Sequence, residues 1–268
     1  MKSKIKHLLM MIALLILIYI LYQFLWIPYK NKITFEKETI TLSESIQNSP
    51  FSISKVLLYS SAHGENQNTN FQQSNWILNI LQYTDIAIYL NHAGETLNSS
   101  NTIQKLSLEN IAITAPNLGS PSLYYLDSLN FGTSNFNQND KLENTLEFTV
   151  LNDENKHNDI QSNTPVFFTD CSNPITLKYV NSSVKENYAI TSHEPIFFDG
   201  HLLQIANISL ENLETTISFT IHIESNSHKN YFCHVSLPIS LKNETSSIYD
   251  GNILMERKLE NYKFIETQ

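Results

Sequence analysis

The chain has 268 residues and a net charge of −9, and its first 29 residues hold three lysines and no acid, leaving 14 basic against 26 acidic residues in the remainder. Arg257 is the only arginine and no basic block occurs, which excludes a nucleic-acid surface, because displacing counterions from phosphates needs dense cationic charge. The length beyond residue 30 is enough to bury a real core, in one large or two small domains.

Residues 1–7 carry Lys2, Lys4 and Lys6 and read as a short cytoplasmic tail. Residues 8–29 are almost wholly apolar, with Gln23 as an interruption. As a helix, about 20 apolar residues span about 30 Å, the thickness of a bilayer core, which predicts a transmembrane signal-anchor. A cleaved secretory signal needs small residues at its cleavage site, and Phe24-Leu-Trp-Ile27 supplies none. Trp26 and Tyr29 suit the interfacial belt. Lysines flank the span evenly, Lys2, Lys4 and Lys6 before it and Lys30, Lys32 and Lys37 after it. The short basic tail therefore sets the expected topology, N-terminus inside and the C-terminal domain outside a cell membrane. Abundant Asn and Lys with a single Arg matches an AT-rich bacterial genome.

After residue 30 the pattern alternates rather than turning with a helical period. Strands are predicted over 33–42, 51–59, 85–90, 103–108, 111–114, 123–126, 146–151, 166–169 and 175–180, with 76–83 ambiguous between strand and short helix. The segment Pro195-Ile-Phe-Phe198, Asp199-Gly200, then 201–205 predicts a hairpin, since Asp-Gly suits the primed turn. Ile217, Phe219, Ile221 and Ile223 alternate with Ser218, Thr220, His222 and Glu224, and Tyr231, Cys233, Val235, Leu237 and Ile239 repeat the period. These two runs predict an antiparallel pair with one wet face.

Many short strands with polar turns predict an all-β ectodomain, a β-sandwich or two in tandem, behind one N-terminal transmembrane helix. The almost wholly polar stretch 152–164 is the expected linker, between a β-rich domain over 31–151 and a second sandwich over 165–255, with a charged tail at 256–268. The repeat of Ser107-Leu-Glu-Asn110 as Ser209-Leu-Glu-Asn212, with proline-led alternating runs after Pro50 and Pro174, points to a tandem arrangement; chance recurrence in a chain rich in Ser, Leu, Glu and Asn is the alternative.

Chemical signatures are sparse. Cys171 and Cys233 are the only cysteines; outside a membrane they are a candidate disulfide, and two buried free thiols is the equal alternative. Ser52…Lys55 and Ser182…Lys185 fit Ser-x-x-Lys, but both lie on strand patterns, where residues three apart face opposite sides. A sortase-like enzyme needs a thiolate, a histidine and an arginine, and Arg257 sits in the charged tail. His222, His228, Cys233 and His234 offer metal-ligand chemistry, with His222 roughly opposite Cys233, but without the paired spacings of a zinc site. Asp153, Asn155, His157 and Asp159 lack the turn glycine and distal glutamate of a calcium loop. No catalytic residue, metal ligand or cofactor is therefore assigned. Trp76, Tyr124 and Tyr125 are the candidate interaction aromatics, able to stack on sugar rings or fill a partner's pocket.

The expectation is a non-enzymatic, membrane-anchored β-sandwich that binds an envelope protein or glycan as an accessory subunit of a bacterial cell-envelope complex. The alternatives are an envelope hydrolase whose acids meet only in the fold, and a pilus or secretion component.

Overall fold

The structure, a computed structural model, describes residues 49–67, 76–92, 102–126, 131–152, 165–190, 197–257 and 262–267, with scattered positions between 7 and 22. The chain divides into two units, Met1–Asn48 and Ser49–Gln268. In the first, the described positions from Met10 to Tyr19 are helical with exposed side chains. Among the described residues no helix is long and apolar enough to cross a membrane. Apart from those scattered positions, the anchor expected over 8–29 lies outside the described residues, as does the strand expected over 33–42.

The second unit holds two six-stranded sheets. Sheet 1 contains β1 (Phe51–Asn66), β2 (Ile77–His92), β4 (Ser120–Tyr125), β5 (Lys141–Leu142), β8 (Ile175–Ala189) and β11 (Asn252–Glu256), in the order β11-β1-β2-β8-β4-β5. Sheet 2 contains β3 (Ile103–Ile113), β6 (Leu146–Leu151), β7 (Val166–Phe168), β9 (Thr215–Ser225), β10 (Asn230–Ile239) and β12 (Ile265–Thr267), in the order β12-β10-β9-β3-β6-β7. β6 and β7 pair in parallel; every other pairing between these strands is antiparallel. The inner faces meet in one core. Val56, Leu58, Ile86, Ile88, Ile175, Leu177 and Tyr179 from sheet 1 join Leu108, Ile217, Phe219, Ile221, Val235 and Leu237 from sheet 2. Each large apolar side chain closed off in this way stabilises the fold by about 1.5–3 kcal/mol before entropy is counted.

The all-β sandwich expected from the alternation is present, but it is not a tandem pair. β8, from beyond the 152–164 stretch, lies between β2 and β4; β9 lies between β10 and β3. Both halves of the chain thus contribute strands to both sheets, and neither can close a core alone. Residues 153–164 themselves lie outside the described residues. The repeated Ser-Leu-Glu-Asn is not a structural repeat either: the first copy is in β3, the second enters a 3-10 turn, Leu210–Leu213. Part of the expected tail at 256–268 forms β12, paired to β10.

Individual elements refine the expectation. The ambiguous 76–83 segment is strand from Ile77. The runs at 103–108 and 111–114 are one strand, broken by a register shift at Glu109/Ala112 where Asn110 takes φ +54°. The Asp199-Gly200 hairpin is absent; His201–Ile205 is a one-turn helix. The reason is packing. Leu202 and Leu203 are both fully buried in the core, and the Ala206 N–H closes the turn onto the Leu202 carbonyl. Gly200 has ordinary right-handed geometry, and a Cβ there would sit 1.9 Å from the Ile248 carbonyl. It is required for close approach to Ile248, not for a primed turn.

Candidate functional site: a closed ion pair on the outer face of sheet 1

Sheet 1 is buried on both faces at its centre. Inward from β2 point Ile86 and Ile88; outward point Tyr83, Asp85 and Ala87, and all are buried. One outward row crosses four strands. Tyr59 of β1 pairs with Asp85 of β2, Asp85 with Lys178 of β8, and Lys178 with Tyr124 of β4. Over this row lies the loop 131–140. Phe136 packs on Tyr124 with ring centroids 4.7 Å apart, and Leu81, Tyr83, Tyr124 and Val180 form a second small core beneath it.

At the centre of the row, Lys178 Nζ is 2.5 Å from Asp85 Oδ1, and both side chains are 0 % exposed. The loop's backbone completes their hydrogen bonding. Gly132 N–H donates to Asp85 Oδ2 at 2.7 Å, and Lys178 Nζ donates to the Thr133 carbonyl at 2.7 Å. Tyr83 hydroxyl donates to the Gly132 carbonyl at 3.2 Å, and its ring centroid is 4.7 Å from Nζ. Beside the pair, Thr176 hydroxyl donates to the Leu126 carbonyl.

Two buried opposite charges repay their desolvation only when the remaining donors and acceptors are satisfied, which is what Gly132 and Thr133 do. Burial pushes the Asp85 carboxyl up, with the Lys178 contacts and Gly132 opposing it. Burial pushes the Lys178 ammonium down, with Asp85 opposing it. Both shifts favour the uncharged forms. Tyr83 is pushed up to about 12, chiefly by burial. An external substrate has no access to this pair, so its chemistry is confined to the two side chains and the loop above them.

The interaction aromatics named from sequence separate. Tyr124 is buried beneath Phe136 and is not a stacking platform. Tyr125 points inward against the core, edge-on to Phe148 at 6.1 Å. Trp76 is 43 % exposed, T-shaped to Phe198 at 5.6 Å. Phe198 is 37 % exposed and Phe197 59 %; His63 approaches Phe198 at 6.3 Å and His201 approaches Phe197 at 5.3 Å. These residues make an aromatic patch that sequence spacing does not bring together.

Cys171 and Cys233 are free thiols. Cys233 is on β10, while Cys171 follows β7 at the far edge of the same sheet. With four strand spacings between those strands, the separation is roughly 19 Å, against about 7 Å at most between bridged Cα atoms. Burial raises Cys171 to about 11 and Cys233 to about 12, so neither is a thiolate at neutral pH. His222 lies opposite Phe232, not Cys233, and Cys233 is opposite Ile221. That one-residue difference puts the imidazole on the outer face and the thiol in the core. Among the described residues, no group of three or more His, Cys, Asp or Glu side chains is placed to hold a metal ion. The loop 153–159 lies outside them.

Ser182 donates to the Ser120 carbonyl, while Lys185 donates to the Ala206 carbonyl, so this Ser-x-x-Lys pair is pulled apart by different partners. Lys55 pairs with Glu256 at 3.4 Å. Arg257 Nη2 donates to the Pro238 carbonyl and, at 3.2 Å, to Ser240 hydroxyl, tying the end of β11 to β10. Asp85 and Lys178 escaped the sequence reading, although each is the sole charge in an apolar run, Tyr83-Thr-Asp-Ile-Ala-Ile-Tyr-Leu90 and Ile175-Thr-Leu-Lys-Tyr-Val180.

The chain matches no protein-family model, no curated protein and no solved structure.

Proposed function

We propose that this is a single-pass, membrane-anchored protein of the bacterial envelope, whose β-sandwich lies outside the membrane and binds a second envelope protein as an accessory subunit. The observation that carries the reading is the exposed patch of Trp76, Phe197 and Phe198. Aromatic side chains are the commonest anchors of binding surfaces, because they bury much area with little loss of rotamer freedom. The membrane half of the proposal rests on residues 8–29. Met10, Met11, Ile12, Leu14, Leu15 and Ile16 are exposed there, and a helix apolar all round needs either a protein core or lipid. A binding role rather than catalysis fits a domain whose buried acid–base pair, Asp85 and Lys178, is closed to outside molecules.

The test is site-specific photocrosslinking of the full chain in cells, with the probe at Phe197 and, as control, at His234, which is exposed on β10. One protein captured in near-equal amount from Phe197, not from His234, and lost in Trp76→Ser is the expected result. Wall glycan captured instead would replace the partner class. Equal capture from both sites, or none, would remove the patch as a binding surface. Deletion of residues 1–30 is expected to move the protein from the membrane to the soluble fraction; retention in the membrane would overturn the anchor.

A further inference from the structure

We propose that Lys178 and Asp85 condense into an intramolecular isopeptide bond joining β2 to β8. The two residues are direct cross-strand partners, held by a register that leaves the side chains little freedom. Nζ stands 2.5 Å from Oδ1, inside the ~2.7–2.9 Å usual for charge-assisted N–H···O bonds. Amine and carboxyl are thus held in direct contact, the proximity that turns a slow bimolecular condensation into an intramolecular one.

The surroundings match what the reaction needs. An ammonium and a carboxylate do not condense; a neutral amine and a carboxylic acid can. Complete closure to solvent favours the neutral pair, since charged groups are stabilised chiefly by water. The directions of both titrations agree with this. In the step, the Nζ lone pair attacks Cγ of the protonated carboxyl. Negative charge develops on Oδ2, where the Gly132 N–H already donates at 2.7 Å, as a backbone donor does in an oxyanion hole. The Thr133 carbonyl holds one Nζ proton at 2.7 Å and so orients the nitrogen. The tetrahedral centre then collapses, the C=Oδ2 bond re-forming as the C–Oδ1 bond breaks. Oδ1 leaves as water, carrying the carboxyl proton and one proton from nitrogen; the amide keeps the other. No oxidant or co-reactant enters.

The product suits the site. A secondary amide replaces two buried ionisable groups, keeps Oδ2 as an acceptor for Gly132 and keeps an N–H for the Thr133 carbonyl. It also closes a covalent ring between residues 93 positions apart, linking strands from the two halves of the chain. A protein outside the cell gains from such a link resistance to force and proteolysis, with no need for cysteine.

Mass spectrometry of the purified full chain decides the matter. The expected intact mass is below the sequence mass by one water, and digestion yields one branched peptide carrying both Asp85 and Lys178. Lys178→Arg and Asp85→Ala are expected to return the full mass and to lose the branched peptide. A folded wild-type chain of full sequence mass, with Asp85 and Lys178 on separate unlinked peptides, would overturn the proposal whether or not either variant folds.

Discussion

The two sheets of the sandwich have similar inner faces and opposite outer ones. On sheet 2, β9 and β10 alternate between core and a partly wet face, with Ser218, Thr220 and His222 outward of Ile217, Phe219 and Ile221. On sheet 1, β2 is buried on consecutive residues from Leu81 to Ile88, and β8 from Ile175 to Asn181. The difference comes from the 131–140 loop, which turns an outer face into an interior. An interior admits charge only with partners, and here Gly132 and Thr133 of that same loop provide them. The loop therefore both creates the need for a satisfied pair and meets it.

Breaking the closed face should have the largest effect. Asp85→Ala leaves Lys178 buried without its partner and without the link, and is expected to destabilise by at least about 3–5 kcal/mol; Asp85→Leu with Lys178→Met should lose less than the single change. Urea unfolding measures both, and a single variant close to wild type would show that the pair is not closed. The comparison sharpens at matched outward positions. Leu81→Ala, beneath the loop on sheet 1, should cost about 2–5 kcal/mol, whereas Thr220→Ala on sheet 2 should stay within about 0.5 kcal/mol. Equal effects would mean that the outer faces do not differ.

Gly119 tests how tightly the approach to β4 is packed on sheet 1. Its φ is +95°, and a Cβ there would lie 2.1 Å from Asn181 Oδ1, on a side chain whose amide donates to the Leu118 carbonyl. Gly119→Ala is expected to cost at least about 1–2 kcal/mol from backbone geometry alone, seen as a lowered Tm. Asn110→Gly on sheet 2, where φ is already +54°, should change Tm little or raise it.

The comparison extends to alkaline solution. Tyr83 on sheet 1 and Cys233 on sheet 2 are both raised to about 12 by burial, from ordinary values of 10.0 and 9.0. The fold holds their protonated forms, so the unfolded chain releases these protons first. Their contribution to stability is full below about pH 9 and declines as pH rises through about 12. Tm measured against pH should fall over that window, and Tyr83→Phe should make the fall shallower. A Tm that is flat to pH 12 would contradict the burial of both groups. Thiol-directed reagents at neutral pH should label Cys233 only after denaturation.

What was legible follows the same division. The β9–β10 pairing is readable from alternation, because one face meets water and the other does not. The extent of β2 was under-read, because a strand buried on both sides has no alternation to see. The helix at His201–Ile205 was misread as a hairpin arm, because Asp-Gly serves a primed turn and also suits a tight approach to another backbone. Local polarity at 152–164 does not say whether the strands on either side of it share one core, and here they do. At the site, Asp85 and Lys178 stood out as lone charges in apolar runs, but 93 residues separate them and no local pattern pairs them. Trp76 stands out in sequence as a candidate aromatic, whereas Phe197 and Phe198 read there as strand residues and only the fold places them beside it.

The sequence by itself determined the class of the domain, the inward residues of its half-wet strands and the apolar character of residues 8–29, because these depend on period and composition, which are local. The tertiary structure alone decided that the two halves share one sandwich, that Tyr124 lies under a loop while Trp76 stays exposed, and that an acid and an amine meet in a dry interior. Those outcomes depend on which strands become neighbours, and strand order is set by the closure of the whole core.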